Sequence, residues 1–329
     1  MNNHEVSFGL GAKKDKKDRR DLRIAGVQAP ISLPELFKLE EKFAPNNQFS
    51  RGSCTGQAQS HHKERQENIE LSARFIMALT KKFEGNTNYG AYTRNCFRIV
   101  QKHGACKQDL YPEPDAVMPW SEYVDHTKIP QECFNDAVNH TTKTYWRVNS
   151  DVVSIKQALY QNKNSVVISM AWYKEFNRPY STGILPSPVN YVGGHAVEIS
   201  AYDDKEQSLI VKNSWSDMWG LKGFFKLPYA MVPDVVWDAW ISLDYPQIMP
   251  VDEYYGFKRT GWSYLMEQKT AFNPWLHNKI GRLPSNREIK ALWYGKWEFE
   301  AVFQAKYGDL WLRFTKPEAI KQNLLKDYT

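Results

Sequence analysis

Cysteine is scarce in this sequence. Four of 329 residues are Cys, too few for a disulfide framework. Cys54, Cys96, Cys106 and Cys133 fall at irregular spacings without a CxxC pair, so the usual zinc modules are excluded and no metal or cofactor is called for. Long apolar runs are also missing. None approaches the ~20 residues of a membrane span, so no membrane partner is expected. The first 20 residues, MNNHEVSFGLGAKKDKKDRR, lack the apolar stretch of a secretory signal. With sparse thiols, this makes a reducing compartment, the cytoplasm, the expected residence. There is no internal repeat and no low-complexity segment. What is present is a hydrophobic fraction of 42% and twelve Trp, enough for a packed core. The length suits two domains, or one large domain with an appendage.

Charge is unevenly placed around a net +6. Residues 1–25 hold seven Lys or Arg against four acids, and residues 251–329 thirteen against nine, leaving the stretch between close to neutral. Residues 1–25 read as a flexible basic arm, since KKDKKDRRD has little to bury. Between Leu33 and Lys42 an apolar spacing begins, punctuated by Pro34 and Pro45. The pattern then predicts a long helix or helix pair over 55–82. A second helix is predicted over 92–103, with Gly104 at its C-terminal end. Residues 113–145 are loop-rich. Asp151 can cap a helix carrying Val152, Ile155 and Leu159. SVVISMAWY, residues 195–202 and 208–213, GFFKLP and VVWDAWISL read as strands, the middle two forming a hairpin around Asp203-Asp204-Lys205. A helical half thus precedes a β half. This is an α+β layout of two lobes, with a cleft between them as the natural place for chemistry. After about residue 249 the pattern returns to helix, with capping boxes at Ser285–Glu288 and Thr315–Glu318. That tail carries Trp262, Trp275, Trp293, Trp297 and Trp311.

Three segments carry candidate chemistry. In QFSRGSCTG the turn-forming Gly52-Ser53 pair puts Cys54 at the mouth of a helix, where the dipole and free N–H groups favour a thiolate. In YVGGHAV, His195 opens an apolar β-run. In VKNSWSDMWG, Asn213 follows a strand paired with that of His195, and its amide oxygen can set the imidazole tautomer. Each segment alone also admits a purely structural reading. His61, His62, His103 and His277 lack such a setting and read as helix-face or loop residues. The order Cys, His, Asn, with His195 lying 141 residues after Cys54, matches the wide spacing of papain-type sites.

Taken together, the chain resembles papain-like cysteine peptidases, most closely the bacterial and phage-type members without a long pro-region. Gln48, six residues before Cys54, stands where that family has its oxyanion-hole glutamine. GSCTGQA, GGHAVEISAYDD and KNSWSDMWGLKGFFKLP resemble its nucleophile, histidine and asparagine motifs. FGLGAKKDKKDRRD and YGAYTRNCFRIVQKHGACKQDLYPE also resemble such members, so the likeness covers roughly residues 7–245. It implies a two-lobed papain-like fold over 26–248, with a Trp-rich helical domain over 249–329. It also implies hydrolysis of a polypeptide substrate: Cys54 as a thiolate paired with a His195 imidazolium, His195 oriented by Asn213, and the oxyanion held by Gln48 and the Cys54 N–H. Gly52, Ser53 and Gly90 would bind the substrate backbone, and Trp215 and Trp219 would line the leaving-group side. The chain departs from the family pattern at Arg51, where secreted relatives have a disulfide cysteine. Further departures are Thr55, Ser216 and Ala91. With only 47 residues before Gln48, an inhibitory pro-domain of the usual kind is not expected.

Two other readings stand beside this one: a catalytically silent papain-fold adaptor, for example in a phage particle, and a Cys–His cell-wall amidase. The tail's +4 charge leaves nucleic-acid contact open. Its aromatic content leaves protein docking or self-association equally open.

Overall fold

Residues 54–67 make a helix that hydrophobic patterning alone would not bury, yet Cys54 through Glu64 are all buried. This is α1 (Cys54–Glu67), and partners for its polar side chains make the burial affordable. The His62 ring lies between the Ser165 and Ser242 hydroxyls, 2.9 Å from each. Lys63 Nζ donates to Glu67 Oε1 and the Thr141 carbonyl. Glu64 Oε1 accepts from the Leu71 N–H at 3.0 Å. A buried polar group costs little once it is bonded. His61 and His62 are therefore core residues rather than surface ones, and burial lowers the pKa of both. The helix stops where Asn68 turns left-handed, with φ 60°, so the predicted run over 55–82 is two helices.

The fold comes from a computed structural model, and residues 8–19, 21–24 and 32–243 are described. Strand β1 (Ala12–Lys13) and strand β2 (Leu36–Lys38) precede α1. After α1 comes α2 (Ala73–Glu84), where Ser72 accepts from the Phe75 N–H at 3.1 Å. Gly85 takes the left-handed C-cap position that a side chain resists. Strand β3 (Ala91–Tyr92) and α3 (Thr93–His103) follow, with α3 ending on Gly104 as its spacing predicts. The loop-rich stretch contains two short helices, α4 (Trp120–Tyr123) and α5 (Gln131–Ala137).

The β half then begins with β4 (Thr144–Val148), and α6 (Val152–Asn162) is capped by Asp151 as expected. Next come β5 (Val166–Tyr173), β6 (Tyr191–Asp203), β7 (Ser208–Lys212), β8 (Phe224–Pro228), a turn of helix α7 (Val232–Val235) and β9 (Val236–Leu243). Strands β4, β9, β5, β6, β7 and β8 lie side by side in that order, with β2 added on β6, in one antiparallel sheet. Helix α1 packs on β5 and β6, so the two halves meet along the element that starts with Cys54. This is the expected α+β papain-like arrangement. The described residues belong to one compact unit. The helices, capping boxes and tryptophans read in residues 249–329 lie outside the described residues.

Candidate active site

Cys54 is the first residue of α1, as its Gly-Ser approach predicts. It has no exposed surface. Burial pushes its thiol up to about 11, while the backbone N–H groups of Ala196, Ala12, Gly11 and Thr55 act in the other direction. Desolvation outweighs the helix N-terminus here, because the charged form loses its water.

His195 lies on β6, opposite Met170 of β5. Asn213 follows β7, the next strand of the sheet. His195 Nε2 is 2.7 Å from Asn213 Oδ1. Since that oxygen can only accept, Nε2 carries the proton and Nδ1 keeps the lone pair. Nδ1 is buried without a hydrogen-bond partner. Trp215 stacks on the imidazole with centroids 4.7 Å apart, and Trp172 meets it edge-on at the same distance. The resulting burial lowers His195 to about 4, with the Asn213 bond opposing it. Burial thus works against the charged thiolate–imidazolium pair that the motif implies, raising the thiol and lowering the imidazole.

Gln48 is fully buried. Its Oε1 accepts from the Ser214 hydroxyl at 2.6 Å, which turns Nε2 toward the cleft. There Nε2 donates to two carbonyls, Arg51 O at 2.6 Å and Gly9 O at 2.9 Å.

The second of those carbonyls belongs to the N-terminal segment. Residues 8–19 do not stand off as a free basic arm, which corrects the sequence expectation. They run through the cleft. Phe8 stacks on Trp215 at 4.3 Å. Gly9 N donates to Phe49 O, Gly11 N to Gly194 O and Ala91 N to Gly11 O, each at 2.9 Å. Ala12–Lys13 then pairs in parallel with Ala91–Tyr92. Further along, the acids turn inward and the bases outward. Asp21 meets Arg94 at 3.0 Å and Arg147 at 3.3 Å, and Asp18 lies 3.5 Å from Arg94. Asp15 is buried: its N–H donates to Asp238 at 2.7 Å, and its Oδ2 accepts from Trp240 Nε1 at 2.9 Å. Lys14, Lys16, Lys17 and Arg19 face solvent. These acids repeat every third residue, but their partners lie far away in the chain, so no local pattern announces the clasp.

Of the expected substrate-binding residues, Gly52, Gly90 and Trp215 lie against this segment. Gly52 and Ser53 are buried beside Cys54, and a side chain on Gly52 would collide with the Tyr89 ring. Gly90 holds φ 72°, and a Cβ there would overlap the Gly11 carbonyl. Trp215 and Trp219 wall a cavity of about 440 Å³ together with Phe8, Phe49, Ala116 and Met218. Arg51, at the disulfide position of secreted relatives, bonds the carbonyls of Pro114 and Asp115 at 2.9 and 2.6 Å. It thereby ties that loop to the Cys54 loop without sulfur. All four cysteines are free and buried. Among the described residues no cluster of His, Cys, Asp or Glu could hold a metal ion, and no helix is long and apolar enough to cross a membrane. Ser214, Trp172 and the glycines of the arm are contributors that the sequence reading did not single out.

Known proteins resemble this chain in sequence and fold. The chain is 25% identical over 278 residues to an uncharacterized peptidase C1-like protein of Acanthamoeba polyphaga mimivirus, covering 73% of this chain and 88% of that protein. It is 24% identical to cysteine proteinase 1 of Entamoeba histolytica, covering 69% and 72%. Among solved structures, xylellain, a cysteine protease from Xylella fastidiosa, superposes with a TM-score of 0.64 at 25% identity, covering 74% of this chain and 98% of xylellain. The family model for papain family cysteine proteases matches residues 48–232, from the cleft glutamine past the asparagine segment. With more than half of the chain inside that match, this protein belongs to the papain family of cysteine proteases and is a cysteine endopeptidase.

Proposed function

We propose that Cys54, His195, Asn213 and Gln48 hydrolyse peptide bonds through a covalent thioester, in a site that the chain's own N-terminal segment keeps closed. The observation that carries this reading is the Gly9 carbonyl on the Gln48 amide, 2.9 Å away. A peptide carbonyl already sits where an oxyanion would need a donor. Once the segment leaves and water returns, the desolvation that raises Cys54 and lowers His195 is relieved, and the thiol proton can pass to Nδ1. The thiolate attacks the substrate carbonyl, and Gln48 Nε2 and the Cys54 N–H receive the developing charge. Each donor contributes about 2.7–4 kcal/mol in comparable sites. His195 Nδ1 gives its proton to the leaving amine, then takes one from the water that cleaves the thioester. Asn213 keeps the ring in the required tautomer throughout.

The seated segment is not itself a substrate. A productive peptide places its leaving, C-terminal part by Trp215 and its N-terminal part along Gly90 and Ala91. The segment does the reverse, with Phe8 at Trp215 and Ala12 at Ala91. Its scissile geometry is inverted, so it blocks the site without being consumed. Four unpaired thiols suit a reducing compartment.

The test is labelling with an epoxide-type thiol inhibitor, mass mapping of the modified residue, and assay of Cys54→Ala on a denatured protein substrate. We expect one modified residue, Cys54, and loss of turnover in the variant. Full activity of Cys54→Ala ends the proposal, and failure of Cys54 to label favours a silent scaffold.

A further inference from the structure

Strand β3 is two residues long, and its ladder partner is β1, the guest in the cleft. Among the described residues no strand lies on its other side, yet its backbone must stay extended if it is to bind a guest at all. In an extended chain the carbonyl of residue 90 and the N–H of residue 92 point one way, while the N–H and carbonyl of residue 91 point the other. The inner pair is taken by two side chains of α2. Lys81 Nζ donates to Gly90 O at 2.9 Å. Glu84 Oε1 accepts from the Tyr92 N–H at 3.1 Å. The two side chains also bond each other, Nζ to Oε2, at 2.8 Å.

Every remaining bond of this pair is satisfied. The third ammonium donor of Lys81 goes to Asn86 Oδ1 at 2.9 Å, and Glu84 Oε1 also accepts from Asn95 Nδ2 at 3.0 Å. Both side chains are almost fully buried, 1% and 5% exposed. A buried ion pair is a poor source of stability. Here a donor and an acceptor, three residues apart on one helix face, imitate the edge of a missing strand. They leave the Ala91 N–H pointing into the cleft, where it meets Gly11 O.

We propose that Lys81 and Glu84 are positioning residues that hold β3 ready to pair with the backbone of a bound peptide. The inference rests on the peptidase reading and deepens it: recognition on this side of the cleft is backbone pairing preset by the ion pair. Neither residue touches the reacting atoms.

The test compares two reagents at Cys54 in the full chain. Iodoacetamide needs only an open site. A peptidyl epoxide with three residues on the N-terminal side of its warhead also needs β3. Their rate ratio cancels the opening of the arm, which both require. In Lys81→Met, and in the charge-balanced Lys81→Met/Glu84→Gln, we expect iodoacetamide to react faster because the arm has lost the same support. The epoxide-to-iodoacetamide ratio should fall about tenfold, the worth of one lost hydrogen bond to a charged group. Lys81→Arg, which keeps a buried donor, should restore most of the ratio. Circular dichroism identifies variants that fold, and the double variant guards against loss of the single one to an unpaired buried charge. An unchanged ratio in a folded variant overturns the inference and leaves the peptidase reading intact. Absence of labelling at Cys54 in the wild-type chain by either reagent overturns both.

Discussion

Gly11 decides whether the cleft can be closed. A Cβ at that position would overlap the carbonyl of Gly52, two residues before the nucleophile, and Gly9 is similarly confined by the Arg51 carbonyl. Overpacking of this kind costs about 1–3 kcal/mol where the neighbours are backbone. Gly11→Ala should therefore shift the closed–open balance roughly 5- to 150-fold toward open. The alkylation rate of Cys54 by iodoacetamide would rise in proportion, and a rate equal to wild type would count against a seated arm. The proposed reacting residues were legible in the sequence, because Cys54, His195, Asn213 and Gln48 each sit in a short motif whose backbone setting is local: a helix start, a β-run, a strand end. Their protonation was not legible. Motifs encode which atoms face each other, but the pKa values follow from solvent access, and that is set by Phe8 and its neighbours from a remote part of the chain.

At the scale of elements, α1 and the N-terminal segment both mislead a reader of composition, for one reason. CTGQAQSHHKERQE and KKDKKDRRD look solvated, yet each buries polar groups against partners distant in sequence, such as Ser242 for His62 and Asp238 for the Asp15 N–H. Strands β5, β7, β8 and β9, by contrast, were legible almost to their ends, because they are largely apolar runs whose burial their own residues dictate, whereas the short strands β1 to β4 were not read and β6 begins four residues before the expected run. The buried acid of the clasp also gives the segment a pH response. Burial and the neighbouring Asp238 raise Asp15 to about 7 from 3.8, against the pull of Arg94, Trp240 and Arg147. A carboxyl whose pKa is higher in the closed form favours closure when protonated. Its contribution is complete below the ordinary value and is lost as pH climbs through about 7. Hydrogen exchange of residues 8–13, corrected for the intrinsic rate, should show protection falling between pH 5 and pH 8. Asp15→Asn, which keeps an acceptor for Trp240, should flatten that dependence. Protection that grows with pH would refute the assignment.

For the whole molecule, the N-terminal segment works as a suture. It bonds β3 and Arg94 in the helical half, and Gly194, Arg147 and Asp238 in the sheet half. Removing residues 1–21 should open the site and weaken the fold together. Loss of a few kcal/mol of such contacts corresponds to a Tm lower by roughly 5–10 °C for a chain of this size. A truncated protein that labels faster with no change in Tm would separate the two roles. The likeness of residues 48–232 to the papain family accounts for the cleft but says nothing of this stitching, which depends on residues before the match. The inverted polarity of the seated segment also sets the kinetics. A plug that is never cut competes at a fixed local concentration, indifferent to dilution and to time. Progress curves should therefore run without an activation lag. Closure inflates KM by the reciprocal of the open fraction and leaves kcat at saturating substrate untouched.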